Sequence, residues 1–556
     1  MKRQQNTELS TRVYSYGCVP ARISPVRNEE SALAQLRLGR RLWNTIVAIE
    51  HVRDERYRKI MVDERQRRAD DLGEEMATLR AQIRTARKSA RARKVDLGYL
   101  PDRLARLKAD RSDIIAKLKA SISERHLERK SQLEANVATA YTRVKRARQA
   151  AARMGLFWGS YNDIVQRADA GRKLGHLHFR GFRGEGTLTA QIMGGASVGS
   201  CVGGGHTFFQ VDGPRDGQKW RHARMRIGSN ADRSPVWLEI PIVYHREIPP
   251  EANIKSVSAT RRIVAGKVRW QLNVTVSVPA IAPKTGSRAV ALDIGWRLLP
   301  EGVRVAYWHD GKAHGQVIVP KLDVDQFKKI DSLRSICDQS REESVPMLAA
   351  WLNGKALSEE WLKRSAYLIQ WRSGDRLAAL IRWWADNRIE GDGEIFEAAS
   401  AWRKQYLHLA NWWKSLSEQM TLRVREQYRI FAKRLAGEYD TVVLEDFDLR
   451  EVAKIPEPES EESHRNSYRR IASPSTYRAA LKNACAREGV AIAVLPAEYT
   501  TRTCHSCGDN HEWDQEASVI HRCNACGAIW DQDFNAALNL LRLWRARGGS
   551  ANTAAA

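Results

Sequence analysis

The chain has 556 residues, of which 91 are Lys or Arg and 65 are Asp or Glu, so its formal net charge at pH 7 is +26. A length of this size predicts about three to five domains, and a hydrophobic content of 43% excludes a globally disordered chain. No run of 18 apolar residues is present, so no transmembrane helix is expected. No apolar stretch follows Met1–Asn6, so no signal peptide is expected either. The charge favours nucleic acid as the partner, with a role in solubility as the alternative.

The charge is distributed unevenly along the chain. Residues 1–180 contain 40 Lys and Arg against 21 Asp and Glu, whereas the remaining residues contain 51 against 44. We therefore expect the polyanion-binding surface in the first third, with an affinity that falls steeply with salt because bound phosphates release counterions.

Two basic clusters are the candidate phosphate contacts in this first third. They are Arg84, Arg87, Lys88, Arg91, Arg93 and Lys94, and Arg143, Lys145, Arg146 and Arg148. The alternative is a solvated helix face with ion pairs along it. No acidic residue interrupts the first cluster, which favours phosphate contact there.

The predicted elements begin with a short extended segment within residues 1–27, followed by charge-rich helices over residues 28–180. A turn at Gly98–Pro101 predicts a long helical hairpin. Residues 181–285 are rich in Gly, Val, Thr and Ile in alternating runs, which predicts a β-barrel or sandwich. The first extended segment is expected to supply a strand to that domain, so that the helices form an insertion in it.

From about residue 286 the chain alternates strands and helices, which predicts an α/β core. Apolar runs at 289–292, 441–444 and 490–495 are typical of buried strands, and a final helix is expected over 535–547. Residues 324–436 hold eight of the 18 Trp and predict a helical insert in which most Trp pack in the core. Stacking of one or two of them on bases is the alternative.

Four of the eight cysteines are spaced as metal ligands. Cys504, Cys507, Cys523 and Cys526 form two C-x2-C pairs separated by 15 residues, which predicts one tetrahedral, structural Zn²⁺. A pair of disulfides is the alternative, which reducing intracellular conditions disfavour. The neighbouring histidines, His505, His511 and His521, are not expected to be ligands because four thiolates complete the coordination shell.

Three acidic residues lie where predicted strands end or the last helix begins: Asp293, Glu445 and Asp533. Hydrolysis of a phosphodiester by Mg²⁺ requires several carboxylates that converge from separate elements. Each residue alone is more commonly a turn or cap residue, but the three together predict a magnesium centre. No role is assigned to Asp446 or Asp531.

The motifs around these residues resemble a known family. Asp293-Ile294-Gly295, Leu444-Glu445-Asp446-Phe447 and Asp531-Gln532-Asp533-Phe534-Asn535-Ala536-Ala537 resemble the three motifs of RuvC-type nuclease domains. The segment Thr500–Gly508 resembles the cysteine knuckle of transposon-encoded TnpB nucleases and type V CRISPR effectors. This resemblance covers roughly residues 286–556, and the N-terminal half resembles the family in architecture only. The compact length and the segment Arg12–Gly17 before a Trp43-Asn44 helix look most like subtype V-M.

The resemblance implies a multidomain α+β fold: a helical recognition lobe inserted in a β-barrel wedge domain, then an RNase H-like (RuvC) α/β domain with a helical insert and a zinc ribbon. The expected domains are a first wedge segment at 1–27, the recognition lobe at 28–180, the wedge domain at 181–285, RuvC part I at 286–323, the helical insert at 324–436, RuvC part II at 437–499, the zinc ribbon at 500–530, RuvC part III at 531–547 and a disordered tail at 548–556.

The resemblance also implies a function: a CRISPR RNA-guided effector of bacterial defence, acting in the cytoplasm, which binds double-stranded DNA and silences it with little or no cutting. The expected partners are a guide RNA (crRNA) and target DNA with a short adjacent motif, no membrane is involved, and the protein is a monomer in the complex. Asp293, Glu445 and Asp533 would be the catalytic, Mg²⁺-binding triad, with processing of precursor guide RNA as a further role. The alternatives are an RNA-guided DNA endonuclease using the same triad, a TnpB-like transposon nuclease and, most distantly, a zinc-dependent transcription factor.

Overall fold

A computed structural model describes residues 9–62, 64–90, 99–175, 177–213, 219–446, 468–496, 499–512 and 519–549, without the side chains of 64 and 84–90. The chain forms two compact units. The first contains Leu9–Ile263 and Val268–Pro279, and the second contains Val264–Lys267 and the described residues from Ala280 onward. Within the described residues, no helix combines the length and the apolar character needed to span a membrane.

The first unit contains a bundle of long helices. These are α1 (Glu29–Met61), α2 (Glu64–Ala90), α3 (Leu100–Ala120), α4 (Ile122–Glu128), α5 (Lys130–Arg153) and α6 (Trp158–Leu174). Helix α1 packs against α5 and α6, and α2 packs against α3. Leu42, Trp43, Ile46 and Val47 of α1 face this interior because residues four apart share one face of a helix.

Two antiparallel sheets complete the first unit. Their strands, with one short helix, are β1 (Leu9–Gly17), β2 (Gly186–Ser197), α7 (Val198–Cys201), β3 (Phe209–Val211), β4 (Trp220–Ser229), β5 (Pro235–Val243), β6 (Asn253–Val264) and β7 (Lys267–Pro279). The strand orders are β1-β7-β6-β2 and β3-β4-β5. Because β1 pairs with β7 along its whole length, helices α1–α6 are inserted between two strands of one sheet.

Of the two forms predicted for this region, a β-barrel or a sandwich, the barrel is wrong for the described residues, which form two open sheets as in a sandwich. The sheets share one apolar core, in which alternate residues of β7 such as Leu272, Val274 and Val276 are buried. Single bridge pairs, including Cys18 with Ile242, lie beyond the continuous ladders. Alternation of apolar residues indicates that one face of a strand is buried. A barrel and two packed sheets produce the same alternation, so the sequence pattern does not distinguish them.

The second unit is built on a five-stranded mixed sheet. Its strands are β8 (Ala289–Leu299), β9 (Gly302–His309), β10 (His314–Pro320), β11 (Thr441–Asp446) and β12 (Ala491–Pro496), in the order β10-β9-β8-β11-β12. Strands β8, β11 and β12 are parallel, whereas β8, β9 and β10 are joined as antiparallel neighbours.

The second unit also contains helices and a small hairpin. They are α8 (Lys321–Leu352), α9 (Glu359–Ser365), α10 (Gly374–Trp384), α11 (Gly393–Glu438), α12 (Pro474–Glu488), the paired strands β13 (Ile520–Arg522) and β14 (Ile529–Asp531), and α13 (Gln532–Ala546). The side chains of Trp361, Trp371 and Trp384 pack together in the core of the helical insert, as predicted for most of its Trp. Trp412 is 43% exposed.

The central strands β8 and β11 are apolar throughout because helices cover both of their faces. Val290, Leu292, Val442 and Leu444 pack with side chains of α11 and α12. The alternate residues, among them Ala291 and Val443, pack against Leu540, Leu541 and Trp544 of α13. Burial on two sides explains the continuous hydrophobic runs in the sequence, and it places the first turn of α13 over one face of the sheet.

Candidate metal centre

The three predicted carboxylates meet at one edge of the parallel strands. The parallel pairing of β8 with β11 ends at Leu292 and Leu444. Asp293 and Glu445 directly follow these two residues, so they lie at the same edge of the paired strands. Asp533 stands in the first turn of α13, and this helix packs against β8 and β9.

Asp293 and Glu445 form a coupled pair. Burial, followed by the charges of Glu445 and Asp533, raises the pKa of Asp293 well above its ordinary value, and the two carboxyl groups share a hydrogen bond. Burial also raises the pKa of Glu445 to about 7, although the backbone N–H of Ile294 and the charge of Arg478 act in the opposite direction. The pair therefore retains a proton near neutral pH, and an added cation would favour its release.

Asp533 is held by a buried arginine. Arg304 of β9 is 2% exposed, and its Nη2 lies 2.5 Å from Oδ2 of Asp533. The same guanidinium donates from Nη1 to Oδ2 of Asp531 at 2.8 Å and from Nη2 to Oδ1 at 3.1 Å. Asp531 in turn caps α13, because its Oδ1 accepts from the backbone N–H of Asp533 at 2.9 Å. This cap explains why α13 begins at Gln532, ahead of the predicted start at 535.

Sequence reasoning assigned no role to Arg304 or Asp531. One signal was available, because Arg304 is a lone charge inside the strand Gly302–His309, whose residues are almost all buried. A charge in such a run is rare unless a partner neutralises it. The partner could not be read from the sequence, since it lies 227 positions away.

The four predicted metal-ligating cysteines also converge. The Sγ atoms of Cys504 and Cys526 are 3.7 Å apart, those of Cys507 and Cys523 are 3.5 Å apart, and all four lie within 4.8 Å of one another. Four thiolates around one tetrahedral metal would be separated by about 3.8 Å. All four are free thiols, so the disulfide alternative finds no support in the geometry. Gly508 and Gly527 adopt φ values of +81° and +75°, which close the two knuckles.

His511 lies closer to this group than the sequence predicted. Its Nε2 is 3.1 Å from the Sγ of Cys523, and with Asp509 and Cys523 it forms a second, overlapping candidate group. Both groups use Cys523, so they are alternatives around one sulfur rather than two independent sites.

Two asparagines attach the knuckles to α13, and sequence reasoning assigned neither a role. Asn535, which is fully buried, donates from Nδ2 to the backbone oxygens of Thr500, Thr501 and Thr503. Asn539 donates to the oxygens of Thr500 and Thr503. The Oδ1 of Asn535 accepts from the backbone N–H of His505 at 3.0 Å. Asn535 follows Asp533 by two residues, so the candidate metal group and the carboxylates are joined through one turn of helix.

Of the two predicted basic clusters, the structure describes the side chains of the second only. Of the first, Arg91, Arg93 and Lys94 and the side chains of Arg84, Arg87 and Lys88 lie outside the described residues. Of the second, Arg143, Lys145, Arg146 and Arg148 are all exposed on α5. The guanidinium of Arg148 lies 5.3 Å from the ring centroid of Tyr161, which leaves the other three as the freer basic side chains of this cluster.

Comparison with known proteins defines the class. The family described as "Cas12f1-like, TNB domain" matches residues 475–540, which span α12, the cysteine knuckles and the first half of α13. A solved structure, "Cryo-EM structure of the Cas12f1-sgRNA-target DNA complex", aligns with 96% of this chain and 99% of its own, at 13% identity and a TM-score of 0.42. The curated relatives, together with the matching family model, place the chain among the effectors of type V CRISPR systems.

Two curated relatives identify the family within that class. A protein of Thermanaerosceptrum fracticalcis is 35% identical over 413 residues, covering 70% of this chain and 69% of the relative. A protein of Allomeiothermus silvanus is 37% identical over 406 residues, covering 70% and 75%. Both are named CRISPR-associated DNA-binding protein Cas12m. This chain belongs to the Cas12m family, the effectors of subtype V-M.

The raised pKa of Glu445 predicts a pH-dependent stability without added divalent cations. Since its pKa rises from 4.5 when unfolded to about 7 when folded, its contribution to stability is complete below pH 4.5 and is lost as the pH rises through 7. Denaturant unfolding of the second unit should therefore show a smaller loss of stability between pH 4.5 and 8 in Glu445→Gln than in the wild type.

The matched control is Glu438→Gln, whose side chain is 53% exposed on α11. It should keep the pH dependence of the wild type. Identical pH profiles for wild type and Glu445→Gln would show that Glu445 titrates normally in the fold.

Proposed function

We propose that this protein is a CRISPR RNA-guided effector of bacterial defence that binds double-stranded DNA and silences it by occupying the target. Membership in a family whose curated members are named DNA-binding proteins carries this proposal. In such an effector the guide RNA (crRNA) reads the target by base pairing, while the protein reads a short adjacent motif and the shape of the RNA–DNA duplex. We place its action in the bacterial cytoplasm, as a protein monomer on one guide.

The charge distribution supports an RNA and DNA partner. The first 180 residues carry most of the positive excess, and the exposed basic residues of α5 lie in the same region. We assign the recognition lobe to 28–180 and the wedge domain to 1–27 and 181–285. The RuvC parts, helical insert, ribbon and tail keep the boundaries predicted from the sequence.

The carboxylates support a magnesium-dependent RuvC centre as part of the same proposal. Asp293, Glu445 and Asp533 offer the hard oxygen ligands that Mg²⁺ prefers, and the proton shared by Asp293 and Glu445 marks a place where a cation is favourable. When bound, Mg²⁺ would stabilise negative charge on a phosphodiester. As the substrate of this centre we propose the precursor of the guide RNA, which the centre would process, in place of target DNA.

The second candidate function is RNA-guided cutting of DNA by the same residues, either in a CRISPR effector or in a TnpB-like nuclease. The observation that favours it is the presence of all three carboxylates at one edge of the sheet.

For the cysteines we propose one structural Zn²⁺ in a ribbon over residues 500–530. Four sulfur ligands leave no open position for chemistry. The ion would fix the loop that Asn535 and Asn539 hold by hydrogen bonds.

Binding and cutting are to be measured side by side on one matched duplex with Mg²⁺. We expect the guided complex to bind the duplex only when guide and target match, with little cut product, and Asp293→Ala to bind equally well. Binding that is indifferent to the guide sequence would contradict the proposed function. Abundant cut product that disappears in Asp293→Ala would establish the nuclease alternative instead.

The role of α5 is tested by the salt dependence of binding. Changing Arg143, Lys145 and Arg146 together to Gln should reduce the slope of log affinity against log salt concentration by up to about 3, since each phosphate contact contributes about 0.9. The control changes Lys59, Lys117 and Lys130 to Gln, because each of these exposed lysines lies beside an acidic side chain. Equal slopes in the two variants would mean that the cluster on α5 is only a solvated face.

The zinc assignment is tested by Cys523→Ser. We expect the zinc content by mass spectrometry to fall from one ion per chain to none, and amide exchange over 499–512 to speed up as the knuckles loosen. Cys18→Ser, in the first unit, should retain the zinc. An unchanged zinc content in Cys523→Ser would refute the site.

A further inference from the structure

The position of Arg304 within the carboxylate centre is a feature that neither the motifs nor the proposed function accounts for. Val303 and Val305, its neighbours in β9, pack on the face of the sheet covered by α11 and α12. Alternation along the strand therefore sends the side chain of Arg304 to the opposite face, toward the first turn of α13. There it contacts Asp531 and Asp533, and it is 2% exposed.

Arg304 is fixed in this position from two sides. It stands on β9, which is paired with both β8 and β10. Its two terminal nitrogens engage both oxygens of Asp531 and one oxygen of Asp533. Asp531 is also bound to the backbone N–H groups of Asp533 and Phe534 at the start of α13. A fork held by two carboxylates cannot swing away without leaving buried charges unpaired.

The arrangement divides the carboxylates into two sets with different charge partners. Asp293 and Glu445 pair with each other through a hydrogen bond, whereas Asp531 and Asp533 pair with Arg304. In the described part of the chain, the groups whose ligand atoms all lie within 4.8 Å are both at the cysteine knuckles, and the three carboxylates do not form such a group. Asp533 is thus directed to the guanidinium rather than to a ligand position shared with Asp293 and Glu445.

We propose that the guanidinium of Arg304 takes the place of one of two divalent cations, so that this centre would bind a single metal ion, for which Asp293 and Glu445 would supply the carboxylate ligands. This inference rests on the proposed assignment of these carboxylates to a magnesium centre. Nucleases with two metal ions place them about 3.5–4 Å apart and stabilise both the attacking and the leaving oxygen of the phosphodiester. A guanidinium neutralises carboxylates and donates hydrogen bonds, but it has no ligand position for water and does not lower the pKa of a water molecule.

Under the proposed function, in which the target is bound and not cut, a built-in arginine would account for a centre that keeps all three carboxylates. Removal of an acidic residue would abolish the site, whereas a cation supplied by the protein leaves the motifs intact and reduces the number of metal ions. Arg304 is therefore a positioning residue, which acts by holding Asp531 and Asp533.

The test counts metal ions rather than products. The zinc-loaded protein is titrated with Mn²⁺ and followed by electron paramagnetic resonance, and ions bound elsewhere are subtracted by adding Asp293→Asn to each variant. We expect one isolated Mn²⁺ per wild-type chain. In Arg304→Met we expect two ions with the spin-coupled spectrum of neighbouring metals.

Arg429→Met is the matched control, because Arg429 is 63% exposed and pairs with Glu426 on α11. It should bind one Mn²⁺, as the wild type does. Two coupled ions in the wild type would overturn the proposal, and so would a single ion in folded Arg304→Met.

A second variant covers the case in which Arg304→Met does not fold. Arg304→Gln retains hydrogen bonds to one carboxylate without the charge, and we expect it to bind a second Mn²⁺ at ion concentrations at which the wild type holds one. A single ion in folded Arg304→Gln under those conditions would contradict the role of Arg304. Guided binding of a matched duplex is measured separately in the same preparations. If the wild type shows no guide-dependent binding, the proposed function is refuted, whereas the number of bound metal ions tests the role of Arg304 alone.

Discussion

The interaction on which the second unit depends is the pairing of buried Arg304 with Asp531 and Asp533. Several carboxylates lie together where β8, β11 and α13 meet, and each buried negative charge carries a large desolvation cost. The guanidinium offsets two of them, a shared proton offsets the Asp293–Glu445 pair, and the N-terminus of α13 favours negative charge in its first turn. Without these three compensations the apolar strands could not place acidic residues side by side.

The same helix joins the carboxylates to the cysteine knuckles. One turn of α13 carries Asp533 toward the sheet and Asn535 toward the loop that contains Cys504. The amide of Asn535 satisfies three backbone oxygens that would otherwise be buried without donors. A metal at the four cysteines would therefore stabilise the position of Asp533 through backbone contacts. It would take no part in chemistry, because four sulfur ligands leave no open coordination position.

The sequence indicated which candidate ligands lie near one another, but it did not indicate the side chains that surround them. Cys504, Cys507, Cys523 and Cys526 could be grouped because two short spacings bring them together locally, and Asp293 and Glu445 because each ends an apolar run. The barrel was wrong because alternation in strands such as β7 reports one buried face and not the closure of the sheet. The contacts of Asn535 were out of reach because the oxygens it binds belong to a loop more than 30 residues earlier.

By itself, the sequence determined the excess of positive charge, the buried strands of the α/β core and the spacing of the cysteine pairs, and its motifs carried the resemblance to the family. The first three follow from composition, periodicity and short spacings, which are local properties of the chain. Only the tertiary structure decided that Asp533 faces an arginine. That contact joins β9 to α13 across 229 positions, and it depends on which face of β9 is covered by α11 and α12. Long-range ion pairs leave no periodic trace in a sequence, because their geometry is set by the packing of whole elements.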